Sequence, residues 1–119
     1  MATTHYLIGR VTVGSDGASS ILFSSIPQTY TDLLLQVSAR GTSSSDWDGI
    51  YVSYNGTSTT TSHTGKRVYG YGSGATSDSY APYFGTITNT SATANVFSSG
   101  SIYITNYAGS SNKSASVDT

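Results

Sequence analysis

The chain contains no cysteine and no glutamate. Without thiols it forms no disulfide framework and no thiolate metal site, and the redox compartment is left open. All six acidic residues are aspartates, lysine occurs only at Lys66 and Lys113, and charged residues make up 9% of the chain against about 25% in ordinary domains. The only adjacent basic pair is Lys66-Arg67. Two cations are too few to neutralise a run of phosphates, which argues against nucleic acid as a partner. No apolar run approaches the ~20 residues of a helical membrane span. The opening MATTHYLIGRV lacks the basic and long apolar regions of a secretory signal and is expected not to be one. Glu, Lys and Met, all good helix formers, are the scarce residues.

Ser (23) and Thr (18) together supply 41 of the 119 residues, with 13 Gly and 10 Tyr besides. At a net charge of −1, neutral hydroxyls, amides and phenols must keep the surface wet. Threonine, tyrosine and valine favour strands, and serine and glycine favour turns. Disorder is a rival for so polar a chain, but regular apolar alternation argues against it. The length fits one domain, residues 1–119, able to bury roughly two-thirds of its unfolded surface.

Residues 21–40, ILFSSIPQTYTDLLLQVSAR, carry that alternation most clearly. Leu33, Leu35, Val37 and Ala39 fall on one side and Leu34, Gln36, Ser38 and Arg40 on the other. A period of two marks a strand with one buried face. The pattern predicts further strands over 5–13 and 20–25, joined by a turn at Ser15-Asp16-Gly17. It predicts others over 50–54, 66–71, 80–88, 94–98 and 101–107. Pro27 marks a connection, because proline cannot donate to a central ladder. Asn55-Gly56 is a hairpin-turn dipeptide. TSTTTSHTG reads as an excursion and GYGSGATSDS as a flexible loop. SASVDT still alternates at the last residues, so it is expected either to be an edge strand or to continue into strands beyond Thr119, the second being favoured. Eight or so short strands with polar turns point to an all-β, antiparallel β-sandwich or jelly-roll-like fold, lacking C-terminal strands if the chain continues.

None of the short motifs amounts to a catalytic signature. Asp46-Trp47-Asp48-Gly49 resembles the opening of a calcium loop, but such a loop needs further oxygen ligands and a bidentate Glu. An acidic loop with Trp47 packed or at an interface is favoured over weak metal binding. His5 and His63 lie far apart and show no zinc spacing. A Ser-His-Asp triad lacks its GxSxG elbow. Asp46 and Asp48 as a glycosidase pair would have to share a strand face, and a loop is the favoured setting. Gly70-Tyr71-Gly72-Ser73-Gly74 follows no βαβ pattern and lacks a phosphate-loop Lys. The sequons at Asn55, Asn89 and Asn112 arise by chance in so hydroxyl-rich a chain. The expectation is no enzyme, no cofactor, no metal and no catalytic residue.

Tyrosines are the best clue. Tyr51, Tyr69, Tyr71, Tyr80, Tyr83, Tyr103 and Tyr107 gather from residue 51 onward, and Tyr51, Tyr103 and Tyr107 fall opposite the isoleucine-lined faces of their predicted strands. Amphipathic rings on an outer face suit a protein interface, and also stacking on sugars; partial burial is the plain alternative.

The segments FSSIPQTYTDLLLQVSAR (23–40), IYVSYNG (50–56), RVYGYGS (67–73) and SIYITNYAGSSNKSASVDT (101–119) resemble a family of virion structural proteins of tailed bacteriophages. The resemblance implies a β-sandwich virion component with further strands after SVDT, and brings no catalytic residues. It implies a protein made in the host cytoplasm and carried on the particle exterior, most simply a capsid decoration or cement protein. Its partners would be the major capsid protein or other virion proteins, with no nucleic acid and no membrane. A homotrimer is favoured because capsids offer threefold sites. Trp47, Tyr51, Tyr103 and Tyr107 are the candidate interface residues. The alternative is a tail-fibre or spike domain that binds host-surface glycans through Trp47 with Asp46 and Asp48.

Overall fold

The computed structural model describes residues 4–45, 47–57, 63–79 and 83–119. Contacts gather the chain in two units, Met1–Tyr30 and Thr31–Thr119. Seven strands lie in the second unit: β1 (Leu33–Ala39), β2 (Asp48–Gly49), β3 (Lys66–Tyr71), β4 (Gly74–Ser79), β5 (Thr86–Ile87), β6 (Ser98–Ile104) and β7 (Ala115–Asp118). The described residues form no helix. β1, β6 and β7 make a three-stranded sheet with β6 in the middle, while β2 pairs with β5 and β3 with β4. Every ladder is antiparallel. The described residues thus form an all-β, antiparallel architecture.

β1 forms where the alternation predicts it. Its odd-numbered residues are half-buried and its even-numbered ones exposed. In the register Leu33 faces Ile104 and Leu35 faces Ile102, so aliphatic side chains meet across the ladder, the pairing that stabilises a sheet face. Ile102 and Ile104 are the buried hydrophobic residues among those described. Burial of each is worth about 1.5–3 kcal/mol. Val117 of β7 faces Ile102 from the other side.

Other boundaries move. The strand expected over 101–107 begins three residues earlier, at Ser98, and ends at Ile104. Tyr107 therefore lies in the turn that follows, where Asn106 takes a left-handed φ of 48° and Gly109 N–H donates to Asn106 O at 3.1 Å. Of the strand expected over 94–98 only Ser98 is in a strand, as the start of β6, and the residues before it turn. Asn95 has φ 64°, and the Arg40 guanidinium donates to the carbonyls of Ala92 (2.9 Å), Thr93 (2.8 Å) and Val96 (3.1 Å). One cation gathering three carbonyls curls the backbone out of ladder geometry.

The strand expected over 50–54 reduces to β2 just before it, although Ile50 N–H donates to Gly85 O at 2.9 Å and Phe84 N–H to Ile50 O at 2.7 Å. Of the strand expected over 80–88 only β5 forms, and residues 80–82 lie outside the described residues. Asn55-Gly56 does make a tight turn. Both residues have positive φ, 51° and 76°, as a type I′ turn requires, and Thr57 N–H donates to Tyr54 O at 2.9 Å. Residues 58–62 of the excursion lie outside the described residues.

The glycine-serine stretch expected to be a flexible loop is a turn and a strand. Gly72 has φ 51° and takes the first central position of a two-residue turn, where a type II′ hairpin demands glycine. β4 then returns along β3 with Asp78 opposite Arg67 and Thr76 opposite Tyr69. The small residues of β4 concealed its alternation, in which Thr76 and Asp78 are half-buried between exposed neighbours.

In the first unit neither expected strand forms, and residues 5–13 and 20–25 follow irregular paths. The turn at Ser15-Asp16-Gly17 is present, with Gly17 at φ 75° and its N–H on Gly14 O at 3.1 Å. The two segments do face each other: a Cβ on Gly9 would lie 3.4 Å from Phe23 Cδ1. Alternation gives a chain two faces, but only ladder hydrogen bonds make a strand, and around Gly9 both faces are apolar (Tyr6 and Ile8 against Leu7 and Val11). A segment without one wet face has nothing to fix its register.

Candidate functional site

Of the four candidate interface residues, the structure joins two. Trp47 and Tyr51 both pack on Tyr83. Trp47 meets it edge-to-face with centroids 5.3 Å apart at 90°, and Tyr51 meets it at 4.6 Å and 63°. Trp47 is 41% exposed and Tyr51 53%, whereas Tyr83 is half-buried. Tyr83 is the residue sequence reasoning missed as a partner. It is 34 positions from Gly49 and arrives beside it because β2 pairs with β5.

Gly49 makes the arrangement possible. A Cβ there would sit 2.3 Å from Tyr83 Cδ1 and 2.4 Å from Cε1. Gly41 does the same for the neighbouring carboxylate, since its Cβ would lie 2.1 Å from Asp48 Oδ2. Asp48 is held from two sides: Oδ1 accepts Gly49 N–H at 3.0 Å and Oδ2 accepts Ser43 N–H at 3.3 Å. Ser43, Ser45, Trp47, Asp48, Gly49, Tyr51 and Tyr83 line a half-open hollow of about 440 Å³. Its volume falls in the ordinary range for ligand pockets, about 300–1,000 Å³.

One wall of the hollow is anchored by Asn89, a buried polar residue. Its Nδ2 donates to Ser45 O, and its Oδ1 accepts Ser91 N–H at 3.0 Å and Ser91 Oγ–H at 2.6 Å. Thr90 adds two donors to Ser43 O, its N–H at 3.1 Å and its Oγ1 at 2.7 Å. A buried amide satisfied at both ends is rigid, so the serine loop is fixed. Asp46, the third member of the glycan constellation, lies outside the described residues.

Tyr103 and Tyr107 stand apart from this cluster. Tyr103 projects from the exposed side of β6 and donates its hydroxyl to Asp32 Oδ2 at 2.5 Å, while Asn106 N–H donates to Oδ1 at 2.8 Å. These bonds, the phenol's first, hold the Asp32 carboxyl below its ordinary 3.8. The same carboxylate pushes the Tyr103 phenol above its ordinary 10.0. Tyr107 is half-buried.

His5 and His63 serve different settings. Thr4 Oγ1 lies 3.2 Å from His5 Nδ1. His63 packs edge-to-face on Phe84, centroids 5.4 Å apart, and beside Tyr54 at 5.6 Å. Tyr54 Oη is buried with no hydrogen-bond partner among the described residues, and desolvation pushes that phenol upward. Among the described residues no three His or Asp side chains gather as metal ligands. Compared with protein-family models, with curated proteins and with solved structures, the chain finds no match.

Proposed function

We propose that this chain is a non-enzymatic virion structural protein that decorates the outer capsid and works by binding capsid subunits. The reading rests on the phage-family resemblance of residues 23–40, 50–56, 67–73 and 101–119, and one structural observation carries it: large apolar side chains left on the surface. Leu7 is 76% exposed, Leu22 82% and Val68 83%. In the first unit Leu7, Ile8, Val11, Val13, Ile21 and Leu22 are all exposed, a concentration of apolar side chains that fits a docking site for another protein.

Among the described residues only Ile102 and Ile104 are buried hydrophobic side chains. A chain that burial alone leaves marginal gains its remaining stability from neighbours, and a shell supplies them symmetrically. Partners of this kind are major capsid protein subunits and, at threefold positions, two further copies of the chain.

The test is copy number. Purified particles are expected to contain the protein in hundreds of copies, at a fixed ratio to the major capsid protein. Leu22→Asp and Val68→Asp proteins are expected to bind undecorated capsids poorly. Recovery in only a few copies per particle, or none, overturns the reading.

A further inference from the structure

We infer that the hollow bounded by Trp47, Tyr51 and Tyr83 is a binding site for a neutral pyranose. A pyranose has an apolar C–H face and a rim of hydroxyls, so it needs an aromatic surface beside fixed polar groups. Both are present. Trp47 and Tyr51 are the exposed rings, with Tyr83 seated between them as their common support. The Asp48 carboxylate stands at the same hollow. Each of its oxygens accepts one backbone N–H and keeps a further lone pair for a sugar hydroxyl. Ser43 and Ser45 add hydroxyls that both donate and accept.

The site is formed before any ligand arrives. The Tyr83 ring and the Asp48 carboxylate occupy space that a Cβ at Gly49 or Gly41 would fill. The serine loop is tied down by Asn89. Preorganisation of this kind lowers the ordering cost of binding, which matters for a ligand as small as one or two sugar rings.

Charge and ring geometry narrow the ligand. Among the described residues lining the hollow there is a carboxylate and no Lys or Arg, so acidic sugars and phosphates are repelled. A quaternary ammonium wants rings standing apart around the cation. Here Trp47 and Tyr51 each pack directly on Tyr83, with centroids 5.3 Å and 4.6 Å from it at 90° and 63°, so no gap of cation size separates either ring from Tyr83. The exposed faces of Trp47 and Tyr51 are the surfaces to stack upon. The inference goes beyond capsid decoration and does not depend on it.

Trp47 is the sole tryptophan, so its fluorescence reports the site directly. The full chain is titrated with cellotetraose, maltotetraose, mannotetraose and tetramethylammonium, with backbone amide shifts recorded for the same samples. A saturable change with at least one tetrasaccharide is expected, mapped to Ser43, Ser45 and Gly49. By calorimetry Tyr83→Ala, Asp48→Asn and Gly49→Ala should each weaken that sugar by about tenfold or more, and Tyr71→Ala on the β3–β4 hairpin should not. If Tyr83→Ala fails to fold, the wild-type shifts decide alone. No saturable response to any of the three sugars overturns the inference. So do shifts located elsewhere, tighter binding of tetramethylammonium, or loss of capsid binding in these variants with no sugar response. None of these results alters copy number per particle, so the decoration reading is judged separately.

Discussion

The β1–β6–β7 sheet and the β3–β4 hairpin are both antiparallel ladders held by different forces. In the sheet, Leu33 and Leu35 face Ile104 and Ile102, and the two isoleucines are buried. In the hairpin only Arg67, Thr76 and Asp78 are even half-buried. What binds its strands is polar. Arg67 Nε and Nη2 donate to the two oxygens of Asp78 at 2.8 Å and 2.9 Å. The same guanidinium lies 4.4 Å from the centre of the Tyr69 ring, and Tyr69 continues to Tyr71 at 5.9 Å. Lys66 Nζ reaches Ser79 Oγ on the other face. A two-stranded hairpin is marginal in water. The contrast teaches that identical backbone pairing is robust where it closes over aliphatic groups and conditional where it depends on charge.

The largest expected effects break the sheet. Leu35→Asp places a charge against Ile102 and should abolish folding, seen as loss of the cooperative thermal transition. Soluble protein unfolding at the wild-type temperature would refute the assignment of faces. Ile102→Ala should cost about 2–5 kcal/mol in urea denaturation, while leaving the β3–β4 amide-exchange pattern recognisable.

Next comes the Asn89 anchor. Asn89→Ala strands the Ser91 N–H and leaves the Ser45 carbonyl with the Ser91 hydroxyl at 3.2 Å, and should cost about 1–3 kcal/mol. Amide exchange should accelerate first over 43–45 and 89–91, well before the sheet responds.

A smaller effect sharpens the comparison through pH. Asp32 is held below 3.8 by the Tyr103 hydroxyl and the Asn106 N–H. A carboxyl depressed in the folded state stabilises above its unfolded value, and that stability is lost as pH falls through the folded value. Tyr103 is raised above 10.0. Its contribution is therefore complete below 10.0 and disappears as pH climbs through the folded value. The pair should hold across the neutral range and fail at both extremes. Asp32→Asn and Tyr103→Phe should each flatten the acid and alkaline limbs of a melting-temperature profile. Unchanged limbs would show that the contact contributes nothing in solution.

The smallest effect belongs to the hairpin. Asp78 is likewise held low, chiefly by its hydrogen bonds from Arg67. Arg67→Ala, added salt or acid below 3.8 should speed amide exchange over 66–79 without moving the global melting temperature. A shift of the whole transition would mean that hairpin and sheet unfold together.

Legibility along the chain follows the same division. β1 was readable because Leu and Val alternate with Gln and Ser, giving each face its own chemistry. β4 was not, because Ala, Ser and Gly carry too little hydrophobicity to mark a face, and its order comes from Asp78 meeting Arg67. The 93–97 turn was hidden because its cause, Arg40, lies more than fifty residues upstream. Residues 5–13 show the reverse error: alternation was present, and a ladder was not. At the site, Trp47 and Tyr51 stood out as amphipathic rings. Their junction on Tyr83 depends on β2–β5 pairing and on the absent Cβ of Gly49, which no local pattern reveals.

β7 lies at the margin of its sheet, all four of its residues are exposed, and among the described residues no strand runs along its outer side. Such a margin can template growth, since an extended peptide could complete its open row of amides and carbonyls. Asp118 is the strand's single charge. Stacking identical copies in parallel register, as amyloid does, would set Asp118 upon Asp118 all along the fibril, a column of like charges with no counter-ion built in. The same aspartate attracts a foreign strand bearing a lysine opposite it. One acid at the rim thus discourages self-propagation while leaving the edge open to others.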